Sequence, residues 1–406
     1  MNQPAGVPPP PSSLGVRDLN RLRVIESIYL HPGCSRTDIA RRTGLSRGTV
    51  SSVAEALVRA ELIREREAPD EEQRRRGTGR RPTLLSLVPS AAFAIGIDIG
   101  HQHVRVIICD LAGEPVAEQW SLAQVDEAPS ATLDLAHDLV QQALRDAAVA
   151  PQRVLGAGIG LAAPIDPGTG EIRADGVLPG WQGIVPATEM RKRLGVSIQL
   201  ANDADVGALG ENVFGAGQGV NEMTYIRLSA GVGAGLILAG QPYRGARGIA
   251  GEIGHVCVKP DGMICRCGNR GCLETVASPV AVARQLEHVI DRPTGDQLLS
   301  LIAAGDRRVL RAVADAGEAV GFALSAVVNL LNPELVVVGG ELAAAGEVLL
   351  DPIRATIHRH SLVGAATTAE VITGVLGDRA EVLGAAALIL ARSPAALAER
   401  MRALVL

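Results

Sequence analysis

The chain has no run of about 18 uninterrupted apolar residues, the length a bilayer-spanning helix needs, so a membrane span is not expected. Its opening residues, MNQPAGVPPPPSSLG, have neither a basic start nor an apolar centre, so no secretory signal is read there. Residues 1–17 read instead as a short disordered tail, and the protein as cytoplasmic. A disordered composition is also missing: 20% of the 406 residues are charged and 47% are apolar, enough for a large core spread over several domains. Cysteine is scarce. In a reducing compartment its 6 copies point to metal ligation before disulfides.

Charge is unevenly distributed. Residues 1–90 carry 15 arginines against 10 acidic residues, whereas the remainder has 24 basic and 34 acidic ones. A basic head on an acidic body points to a polyanionic partner for the head. In NRLRVIESIY, Leu22, Ile25, Ile28 and Tyr29 share one helical face, and His31-Pro32-Gly33 breaks the pattern. Ser35 is placed to cap a short helix carrying Arg36, Ile39 and Ala40, which Gly44 ends. Ser46 is placed to cap a second helix with Val50, Val53, Leu57 and Val58 on its apolar stripe. Two short helices joined by a tight Gly turn form a helix-turn-helix, whose second helix enters the major groove N-terminus first. Arg36, Ser46, Arg47, Thr49, Ser51 and Ser52 are the expected contacts to double-stranded DNA. Leu85 and Leu87 alternate as on the return strand of a wing. The tip RRRGTGRRP adds Arg80 and Arg81, suited to a narrow minor groove, with an ordinary charged linker as the competing reading. The winged helix-turn-helix is assigned to residues 18–90.

From Ala94 onward, Gly-punctuated apolar runs alternate with helical patterns, an α/β signature. The order strand hairpin, helix, strand occurs twice, so two similar lobes should face a cleft: residues 91–200 and 201–384. The last segment, about 385–406, reads as a helix that packs back on the first lobe or on a partner. Within GEIGHVCVKPDGMICRCGNRGCLE, His255, Cys265, Cys267 and Cys272 are a Cys3His set suited to structural Zn2+. Gly262, Gly268 and Gly271 are expected to give the turns that converge the sulfurs. Cys257 would be a fifth ligand and is assigned to the core with Cys34 and Cys109. Trp181, in LPGWQG, is read as either a cover for the cleft or a core residue.

The runs RGARGIAGEIGHVCV and CRCGNRGCLETVAS resemble the signature of the ROK family of sugar kinases and transcriptional repressors. That resemblance, from about Leu19 to near the C-terminus, implies an actin-like body of the sugar-kinase, RNase H-like type. It also implies the repressor branch, which carries the N-terminal winged helix. By the same resemblance Asn202, Asp203, Glu252, His255 and Glu274 contact sugar hydroxyls, and Asp203 is a vestigial general base. The kinases' DxGGT-type phosphate turn reads Asp98-Ile99-Gly100-His101-Gln102 here, and their GTGxGGG-like loop reads Ser229-Ala230-Gly231-Val232-Gly233-Ala234-Gly235. Losing glycines and hydroxyls where a chain hugs a triphosphate argues against ATP binding and against an enzyme, although Gly339-Gly340 persists. The reading is a sugar-responsive repressor, a homo-oligomer (dimer or tetramer) gripping operator DNA, with a sugar or sugar phosphate in the cleft. A sugar kinase with a regulatory DNA-binding head is the alternative.

Overall fold

The computed structural model describes residues 15–67, 83–166, 168–172, 177–290 and 295–403. The head comprises α1 (Val16–Leu30), β1 (Cys34–Ser35), α2 (Arg36–Thr43), α3 (Arg47–Arg59), β2 (Ile63–Glu67) and β3 (Thr83–Leu87). Helix α1 starts at Val16, inside the stretch expected to be a tail. Local chemistry explains α2. Ser35 Oγ accepts the Asp38 N–H at 3.2 Å, the Asp38 carboxylate accepts the Ser35 N–H at 3.2 Å, and Gly44 ends the helix at φ +70°. Ser46 Oγ accepts the Thr49 N–H at 3.1 Å and so starts α3. β3 pairs antiparallel with β1 on one side and β2 on the other, completing a wing over a core of Ile25, Ile39, Val50, Leu57 and Leu85.

The first lobe holds β4 (Phe93–Ile99), β5 (His103–Asp110), β6 (Pro115–Leu122), α4 (Pro129–Asp146), β7 (Val154–Leu161), α5 (Pro186–Leu194) and β8 (Ile198–Asn202). Its sheet runs β6-β5-β4-β7-β8, antiparallel in the hairpin half and parallel beyond β4. After α6 (Asp203–Phe214), the second lobe repeats that order. Its strands β9 (Met223–Leu228), β10 (Val232–Leu238), β11 (Gln241–Tyr243), β12 (Leu335–Gly339) and β13 (Glu370–Thr373) run β11-β10-β9-β12-β13. The duplication read from the alternation of apolar runs is therefore present strand for strand. α7 (Pro279–Leu286), α8 (Gly295–Ala303), α9 (Arg307–Leu331), α10 (Glu347–His360) and α11 (Val363–Thr368) complete the lobe. α9 is long and apolar enough to cross a membrane. Its inner face, including Val313, Val320, Leu324 and Val328, is buried in the second-lobe core, as in the core helix of a globular domain.

The C-terminal segment departs from expectation. It is two helices, α12 (Ala380–Leu390) and α13 (Ser393–Ala403), bent by 44° at a break where Pro394 lacks the N–H a continuous helix needs. The expected boundary at 384/385 falls inside α12. That helix packs on β4, β7 and α6, and the contact is close because glycines line it: a Cβ at Gly384 would lie 1.7 Å from Val206 O, and one at Gly158 1.8 Å from Ala385 O. Helix α13 touches β7 of the first lobe, but its main packing is elsewhere. It lies on α1 of the head, burying Leu397, Ala398 and Met401 with Leu22, Val24 and Ile25.

Candidate functional site

A cavity opens where the end of β8, the β9–β10 turn and the loop after β11 meet between the lobes. Asn202, Asp203, Glu252, His255 and Glu274 all line it. Asn202 is both the last residue of β8 and the cap of α6: its Oδ1 accepts the Ala204 N–H at 2.9 Å, and its Nδ2 donates to Ala163 O at 3.2 Å. Asp203 Oδ1 accepts the same N–H at 2.8 Å, and Oδ2 lies 3.0 Å from Arg227 Nη1. Glu274 accepts two bonds from Arg266 (Nε and Nη2, 3.0 Å each) and one from the Val232 N–H at 3.2 Å. Burial, then the neighbouring Asp203, Asp205 and Glu274, push the Glu252 carboxyl up to about 7. Burial likewise lifts Asp205 to about 6, against its ion pair with Arg244.

Several residues of this site were not foreseen. Arg227 bridges Asp203 to Glu381 on α12, its Nε donating to Glu381 Oε1 at 2.9 Å, and the buried Tyr225 hydroxyl donates to the same oxygen at 3.0 Å. Burial works against the Arg227 charge, but Asp203 and Glu381 outweigh it, and its pKa stands above the ordinary arginine value. The sequence signal was a lone arginine in the apolar strand MTYIRL. Arg266, inside the cysteine loop, was passed over as part of that loop. At the first phosphate-type turn, His103 Nε2 sits 2.8 Å from the buried Asp98 Oδ2, and its ring occupies the space a Cβ on Gly100 would need, 2.4 Å away. An imidazole of the chain itself therefore covers that turn.

His255, Cys265, Cys267 and Cys272 converge beside the cavity, their ligating atoms all within 4.8 Å of one another. Cys265 Sγ lies 3.6 Å from His255 Nδ1 and Cys267 Sγ 3.6 Å from Cys272 Sγ. A tetrahedral ion with bonds of about 2.3 Å would set its ligand atoms roughly 3.8 Å apart, so the donors fit one four-coordinate metal ion. Gly268 and Gly271 adopt φ +89° and +69°, as the convergence requires. Gly262 keeps ordinary φ and is small because Lys259 O would lie 2.8 Å from its Cβ. Cys34 and Cys109 are buried as expected, but Cys257 is exposed, so its assignment to the core is corrected. Its backbone forms an isolated bridge with Cys272. Trp181 is a core residue: fully buried, it donates Nε1–H to Val125 O at 2.8 Å.

On the head, Ser46 and Arg47 at the start of α3 are exposed, Ser52 is exposed, and Thr49 and Ser51 are half-buried. The Ser46 and Thr49 hydroxyls bond each other at 2.9 Å, and Arg36 pairs with Glu65 on β2, which leaves Arg47 the unencumbered cation of the set among the described residues. Arg80 and Arg81 lie outside the described residues.

Comparison with known proteins is consistent across the chain. Residues 94–392 match the model of the ROK family, and residues 15–76 that of the MarR family. The chain is 29% identical over 389 residues to a xylose repressor of Caldicellulosiruptor bescii, covering 92% of this chain and 96% of that one. Its fold matches the crystal structure of a ROK family transcriptional regulator, a homologue of the E. coli Mlc protein. That match has a TM-score of 0.78 and 25% identity, and covers 95% and 98% of the two chains. A ROK family glucokinase from Streptomyces griseus in complex with glucose and AMPPNP matches at TM-score 0.64 and 28% identity, over 73% of this chain and 99% of the enzyme. The expected architecture, a winged helix on an actin-like sugar-kinase body, is borne out.

Proposed function

The chain belongs to the ROK family, and from that premise we propose that it is a sugar-responsive, DNA-binding transcriptional repressor of carbohydrate genes, cytoplasmic and homo-oligomeric. The carrying observation is the joint presence, in one chain, of a winged helix with an exposed recognition-helix start and of an interlobe cavity rich in hydroxyl-binding groups. Likeness to a xylose repressor over both parts supports it. Arg47 would contact operator bases or phosphates, aided by Ser46, Thr49, Ser51, Ser52, Arg36 and the arginines Arg80 and Arg81. Asn202, Asp203, Glu252, His255 and Glu274 would accept and donate to sugar hydroxyls, and an unmatched buried polar group there would reject the wrong sugar.

We assign the Cys3His cluster to a structural Zn2+ that cross-links the loop carrying His255, Arg266 and Glu274. His255 Nδ1 faces the sulfurs, and Nε2 is left 3.7 Å from Glu252 Oε2, on the cavity side. The kinase reading retains one supporting observation, Asp203 in the cavity; against it stands the ion pair with Arg227, which occupies the would-be base. The test is gel retardation of operator fragments selected from the source genome, with and without a sugar panel, beside an ATP-consumption assay. Retardation that depends on Arg47 and responds to a sugar supports the repressor. Sugar-dependent ATP consumption lost in Asp203→Asn would establish the kinase instead.

A further inference from the structure

Among the described residues, every side chain lining the interlobe cavity that is cationic, or can become so, already faces a partner. His101 Nδ1 lies 2.8 Å from Asp126 Oδ1. Arg266 is held by both oxygens of Glu274, and His255 lies between Cys265 Sγ and Glu252. Arg227 is shared between Asp203, in front, and Glu381, behind and outside the cavity. The other ionisable lining groups, Asp203, Glu252 and Glu274, are acids.

A phosphate monoester carries a charge of about −1.5 to −2 at neutral pH. To enter this cavity it would have to draw a guanidinium from its carboxylate, stranding a poorly solvated acid, and then sit beside that acid. A hydroxyl makes no such demand, because it donates to a spare lone pair of Asp203 or Glu274 and leaves both ion pairs in place. Resting on the repressor reading above, we infer that the ligand of this cavity is an uncharged sugar. We infer also that Glu381 is the positioning residue for that choice: bonded to Arg227 Nε and held by the Tyr225 hydroxyl, it saturates the guanidinium that, among the described residues, reaches Asp203.

The experiment is isothermal titration calorimetry on the full-length protein. Its probes are D-xylose, D-glucose and N-acetyl-D-glucosamine, and the 6-phosphates of the two hexoses, run against wild type and Glu381→Gln. At least one free sugar is expected to bind wild type, with any 6-phosphate weaker by about tenfold or more. The glutamine keeps the shape and an acceptor for Arg227 but removes the charge. It is expected to strengthen ester binding by about tenfold while free-sugar affinity stays within about twofold, a change in ratio that a merely structural role would not produce. A 6-phosphate that binds wild type as tightly as its parent sugar overturns the inference, a comparison that needs no variant to fold. Equal weakening of sugar and ester in Glu381→Gln overturns the role of Glu381. Silence from every probe, sugar and ester alike, counts against the sugar-responsive reading itself and takes the inference down with it.

Discussion

His103 shows how one bond decides a titration. Its bond to Asp98 favours the imidazolium, burial opposes it, and the net pKa is raised. A histidine raised in the folded state contributes stability that is complete below its unfolded pKa of about 6.5 and is lost as pH climbs through the folded value. Thermal unfolding followed from about pH 6 to 9 should therefore show the wild-type midpoint falling with pH more steeply than that of His103→Gln. The thiols give a second residue-scale prediction. Cys265→Ser, or removal of metal by a chelator, should lower stability by more than about 2 kcal/mol in denaturant titrations, in step with loss of bound zinc by metal analysis. Stoichiometric zinc retained by a fully stable Cys265→Ser would refute that site. The two residues differ in legibility. The cysteine spacing was readable because its four donors lie within 18 positions of one another, whereas DIGHQH read only as a failed phosphate turn, since nothing local says that His103 folds back over Gly100.

At the scale of elements, caps and periodicity were readable in advance: Ser35, Gly44 and Ser46 bound their helices as predicted. The break between α12 and α13 went unread, although Ser393-Pro394 marks it, because the apolar pattern continues across the proline. The packing of α12 gives a sharp test. Gly384→Ala drives a methyl into the Val206 carbonyl, a backbone atom that cannot swing aside, and should cost about 3 kcal/mol or more. Gly364→Ala, in an exposed helix with nothing within 4 Å of the new Cβ, should be neutral or stabilising by up to about 1 kcal/mol. Urea unfolding of the two variants side by side checks both, and equal effects would remove the close-packing argument.

Across the whole molecule, α13 is one physical tie between body and head: it continues from α12, under the interlobe cavity, onto α1. Leu397→Asp places a charge in the fully buried contact with α1 and should destabilise the head by about 2–4 kcal/mol. Hydrogen exchange should then accelerate in α1 and α13 while the β4–β8 sheet stays protected. Uniform loss of protection would show instead that head and first lobe unfold as one unit.

What the amino-acid order determined alone were properties set within a few residues: helix caps, strand alternation, the doubled lobe pattern and the cysteine loop. These follow from backbone hydrogen bonding and side-chain periodicity, which act over one or two turns. Only the tertiary structure decided that Arg227 meets both Asp203 and Glu381, 154 positions away from the latter, and that the last helix rests on the first. Such meetings depend on sheet register and on how closely glycine lets α12 approach the sheet, and no short stretch of sequence encodes either.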